Sequence, residues 1–75
     1  VIEKDTVLMK FSIDNNLSDI DVIARAYHGS IQNVTDEAII VSATDSSDRI
    51  LNFIKVMQKF NPQEVVRSGI VAMER

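Results

Sequence analysis

His28 is the single side chain in these 75 residues whose ordinary pKa lies near neutrality. A general base or a proton sensor could be built on it. A general base, however, needs an acid or nucleophile converging on the same point, and none is visible. The serines and threonines fall mainly where caps and turns are expected. His28 closes a helical pattern just before Gly29, where the helix dipole favours a basic group, so it reads as a helix-terminal residue. With no cysteine, neither a disulfide nor a thiolate zinc site can form, and one histidine cannot build a histidine-based metal site alone.

Asp14, Asp19 and Asp21 gather carboxylates in one stretch but lack the spacing of an EF-hand, with no glycine at the sharp turn and no distal glutamate. Capping and dipole compensation account for them. The two glycines, Gly29 and Gly69, are too far apart for a phosphate-cradling loop. Met9, Met57 and Met73 fall on three separate elements at packing positions and read as core filler. Arg67 is harder to dismiss. Set in an apolar run, it could hold an anionic ligand or a partner's carboxylate, or simply face solvent from an edge strand. No catalytic residue, cofactor or metal is expected from this inventory.

The elements that carry these residues follow from periodicity. Val7, Met9, Phe11 and Ile13 share one parity in a strand over 6–14, which Asn15-Asn16 breaks. A helix over 18–28 is expected to be capped by Ser18, with Ile20, Ile23, Ala24 and Tyr27 on one stripe and Gly29 in the left-handed position. Strands over 30–36 and 38–44 form a hairpin around Asp36-Glu37, and the Ile39-Ile40-Val41 run suits an inner strand. A second helix over 46–60, capped by Ser46 or Asp45, buries Ile50, Phe53, Ile54 and Met57 and stops at Asn61-Pro62. A last strand over 64–73 is interrupted at Ser68-Gly69, where a glycine inside a strand marks a bulge or a close backbone contact.

The order β-α-β-β-α-β defines an α+β fold, a ferredoxin-like sandwich. Its four-stranded antiparallel sheet should run 4-1-3-2, with both helices on one face. Residues 1–75 make a single domain. Hydrophobic residues at 45% and charged residues at 25% are those of a folded globular chain. A net charge of −3 and a pI near 4.9 argue against nucleic acid. No apolar run approaches the ~18 residues of a membrane span and no signal-peptide pattern opens the chain, so a cytoplasmic protein is expected. Val1 in place of methionine suggests a piece of a longer gene product.

The run Phe60–Arg75 resembles the closing segment of the acetolactate synthase small subunit, also called the acetohydroxyacid synthase regulatory subunit. That family places a Phe-Gly turn before a Glu-Ile/Val-Arg-Thr-Gly run, an apolar strand and a basic residue. Here Glu64 to Gly69 carries the most specific part of the likeness. Val7–Phe11 is similar to the family's first strand, Ala26–Thr35 to its middle passage and Ile50–Phe60 to its second helix. Asn61-Pro62 stands where Gly-Ile is common, Ser68 replaces threonine, Asn33 stands where aspartate is usual, and the first helix diverges more widely.

The resemblance implies a regulatory role, not a catalytic one. The family's small subunit activates a thiamine-diphosphate-dependent catalytic subunit and confers feedback inhibition by branched-chain amino acids, chiefly valine. Its effector site belongs to an N-terminal ACT domain, and this chain corresponds to the domain after it. No valine-binding residue carries over. A free-standing ACT-like amino-acid sensor is the alternative, but the loop Asp14–Ser18 lacks the glycine such a site places after strand 1. A small enzyme on the same superfold is weaker still, because the fold implies no chemistry.

Two helices cover one sheet face, yet Leu8 and Ile40 oppose the core parity, and Ile70 and Ala72 alternate with Val71 and Met73. A homodimer is therefore expected to cover the second face, as the resemblance to a dimeric subunit also implies. Lys10 and Arg67 are expected as rim or partner-pairing charges.

Overall fold

The computed structural model describes residues 2–73, and side chains over 3–68. Strand β1 (Ile2–Ser12) leads to helix α1 (Leu17–Ala26), then β2 (Gly29–Val34), β3 (Ala38–Asp45), α2 (Ser47–Met57), a 3-10 turn (Gln58–Phe60) and β4 (Glu64–Met73). The sheet order is β2-β3-β1-β4 with every neighbour antiparallel, as the βαββαβ pattern requires.

β1 begins four residues earlier than alternation alone predicts, because Ile2–Asp5 pair with Ile70–Met73 across the sheet. It also ends earlier, at Ser12, where Asn15 N–H bonds back to the Ser12 carbonyl. The cap of α1 is Asn16, whose Oδ1 accepts from Asp19 N–H at 3.2 Å; Ser18 lies inside the first turn. After α1 the positive φ (58°) falls on His28, not on Gly29. Gly29 answers a different demand. A Cβ there would sit 2.6 Å from the Ser42 carbonyl oxygen and 2.7 Å from Ala43 Cβ. At the other helix, Asp45 Oδ1 accepts from Ser46 N–H at 2.8 Å, and Asn61 takes the left-handed conformation (φ 53°) before Pro62.

β4 carries the bulge. Asp5 faces Ile70 and Val7 faces Arg67, so Ser68 and Gly69 together oppose Thr6. Past the bulge Val65 and Arg67 share the helix side with Met9 and Val7, while Val66 stands opposite Leu8 on the outer side.

Between sheet and helices lies the core. Val7, Met9 and Phe11 from β1 meet Ile39, Val41 and Ala43 from β3, with Ile20 and Ala24 of α1 and Ile50, Phe53 and Met57 of α2 closing over them. Each large side chain buried there contributes about 1.5–3 kcal/mol. Ile13, Ile23, Tyr27 and Ile54, expected in the core, pack at its rim. α1 lies over β2 and β3, and α2 over β3 and β1. Every described β4 side chain, Glu64 to Ser68, is exposed.

Candidate functional site: a charged row across the sheet

Beyond Val7 and Ala43 the two central strands continue one step on the helix side, and both place an aspartate there. Asp5 and Asp45 are register partners and are 0% and 6% exposed. Two buried carboxylates side by side are unfavourable unless each is paired. Each is. Arg67 of β4 donates its Nε to Asp5 Oδ2, and Asp5 Oδ1 is buried without a hydrogen-bond partner among the described residues.

Asp45 is better provided. It receives Arg49 Nε at 2.6 Å and Ser46 N–H at 2.8 Å, and His28 Nδ1 lies 3.0 Å from Oδ2. Burial pushes the Asp45 carboxyl up, but the hydrogen bonds from Arg49, Ser46 and His28 outweigh it and lower its pKa from 3.8 to about 2. The same pair raises Arg49 above the ordinary arginine value. Arg49 also donates Nη2 to the Ala26 carbonyl at 2.6 Å and lies 4.8 Å from the Tyr27 ring centroid. One guanidinium therefore ties the end of β3, the start of α2 and the end of α1.

This arrangement can fix geometry and present charge. Among the described residues no three His, Cys, Asp or Glu side chains are placed to hold a metal ion. His28 is 73% exposed at its side chain and serves as a third partner to Asp45. Asp21 pairs with Arg25 on the surface of α1, and Asp14 accepts from Ser12 Oγ, which accounts for two of the three early carboxylates. A shallow concavity of about 380 Å³ runs along α2 beside Asp48, Leu51, Asn52, Ile54 and Lys55.

Of the residues expected at an interface, Leu8, Lys10 and Ile40 share the outer sheet face, with Lys10 opposite both Ile40 and Glu64. Arg67 departs from them. The bulge turns it to the helix side, where Asp5 of the same chain binds it, so it is not a rim charge of the outer face. The side chains of Ile70 and Ala72 lie outside the described residues. Sequence reading missed the Asp5–Asp45 pair, although a signal exists: each extends its strand's buried parity by one position, with arginines available to pair.

A ferredoxin-like α+β domain whose buried charges bind one another is the class that fold and site define. The chain matches the family described as "Small subunit of acetolactate synthase" over residues 4–75. A probable acetolactate synthase small subunit of Schizosaccharomyces pombe is 30% identical over 61 residues, 81% of this chain and 21% of that protein. The acetolactate synthase small subunit of Bacillus subtilis is 24% identical over 76 residues, 100% of this chain and 44% of that protein. The crystal structure of the Thermotoga maritima acetolactate synthase small subunit superposes with a TM-score of 0.83 at 28% identity, covering 99% of this chain and 46% of that one. The chain belongs to the acetolactate synthase small-subunit family, as its C-terminal domain, and spans less than half the length of these relatives.

Proposed function

We propose that this chain is a regulatory domain of an acetolactate synthase small subunit. It associates with the thiamine-diphosphate-dependent catalytic subunit in the cytoplasm, helps activate it, and helps transmit feedback inhibition by branched-chain amino acids. The supporting observation is that sequence and backbone agree over nearly the whole chain with the same kind of protein. An ACT domain outside residues 1–75 would hold the effector.

Reconstitution tests this reading. A small subunit lacking residues 1–75 should fail to activate the catalytic subunit fully or to pass on valine inhibition. Unchanged activation and unchanged inhibition would remove the role. Valine binding by this chain alone would replace it with that of a free-standing sensor.

The outer sheet face supports a second element of the proposal, a homodimer. Leu8 at 40% and Val66 at 52% exposure are direct register partners there, with Lys10 and Ile40 adjoining. Ile40→Asp should shift sedimentation equilibrium towards monomer; a wild-type monomer at high micromolar concentration would show that water covers this face.

A further inference from the structure

Among the described residues β4 is an edge strand, and its outward backbone edge meets no other strand of the sheet. Natural edges are commonly protected by a charge standing out into water. Arg67 does not stand out. It lies back on the helix side, where Asp5 holds it through Nε alone. No described residue bonds its two Nη atoms, and the side chain remains 33% exposed. Asp5 is fully buried, and among the described residues its one cationic partner is this guanidinium. A buried carboxylate so placed holds Nε of the arginine and leaves its two Nη atoms without a partner among the described residues. Two parallel N–H donors match a carboxylate.

We propose that the outer edge of β4 receives an extended acidic segment of the catalytic subunit, with one of its carboxylates seated on the Nη atoms of Arg67. Val65, 40% exposed on the same side, supplies the adjoining apolar contact. Main-chain pairing along the edge gives affinity, and the arginine fixes register. A second copy of this chain fits the site less well. In a sheet continued with helices on one side, the described residues of its β4 would offer no carboxylate near Arg67, because Glu64 stands on the opposite face. This inference rests on the small-subunit role proposed above and names the surface that carries it.

The test uses the small subunit carrying this sequence and its catalytic subunit, with association followed by titration at several salt concentrations. The double variant Asp5→Asn/Arg67→Gln leaves no buried charge unpaired, and melting confirms that it is folded. It should bind the catalytic subunit at least about tenfold more weakly, with a flatter salt dependence. Arg67→Lys, which keeps the charge and loses the fork, should also bind more weakly. Arg25→Gln, on the exposed side of α1, should match wild type. Wild-type affinity in both Arg67 variants overturns the inference alone. An effect confined to self-association of the small subunit reassigns Arg67 to a second copy and also overturns it. Absence of wild-type association removes this inference together with the function beneath it.

Discussion

At the residue scale, Asp45 is tested by pH and Arg67 by substitution. Asp45 has a folded pKa of about 2 against 3.8 for the free group. Between those values the unfolded chain binds more protons, so stability from this group is present above about pH 4 and lost as pH falls towards 2. Urea unfolding across that window should therefore show a decline that Asp45→Asn flattens, while the variant is less stable than wild type at neutral pH. Equal slopes would mean that other carboxylates govern acid unfolding. Arg67→Ala should destabilise by about 3–5 kcal/mol, since it strands a fully buried carboxylate. The Asp5→Asn/Arg67→Gln pair should cost much less, because no charge is left unpaired. Denaturant midpoints compare the two directly.

Among the elements, α1 and the turn after it separate capping from mere composition. Asn16→Ala should cost about 1 kcal/mol, because it removes the oxygen that accepts Asp19 N–H. Ser18→Ala should be nearly neutral, although Ser18 is the better cap on sequence grounds alone. Thermal melts of the two variants decide which residue caps. Gly29→Ala should cost about 1–3 kcal/mol, since its Cβ would press on the backbone of β3. Strand β4 shows how one extra residue alters an element's meaning. The Ser68-Gly69 bulge shifts the register, and that shift puts Arg67 opposite Val7, on the same face as Asp5, rather than opposite Leu8.

For the whole molecule, a 75-residue chain has little stability to spare. Phe53 is fully buried and packs 5.1 Å from the Tyr27 ring centroid, so Phe53→Ala should cost about 3–5 kcal/mol. That is a large share of the 5–15 kcal/mol or so usual for a domain. The variant should melt far below wild type or fail to fold; a near-native melting temperature would make Phe53 peripheral. The row Arg67–Asp5 and Asp45–Arg49 crosses from edge strand to helix ends, so one plane of charge ties together elements that lie far apart in the chain.

The fold was legible in the residues because its signals are local and periodic. Parity in β1, the i, i+3, i+4, i+7 stripes of both helices, Asn61-Pro62 and the Ser68-Gly69 bulge each depend on near neighbours, and together they allow one sheet order. The resemblance to the small-subunit family rested likewise on contiguous residues, Glu64 to Gly69 above all. What tertiary structure decided is long-range. The start of β1 depends on pairing with residues about seventy positions later, and Gly29 is required by the backbone of β3 across the hairpin. The burial of Asp5 and Asp45 follows from their place on the covered face, and their ionic partners come from β4, α2 and the turn after α1. A carboxylate's partner is chosen by distance in space, and no local pattern of residues records that distance.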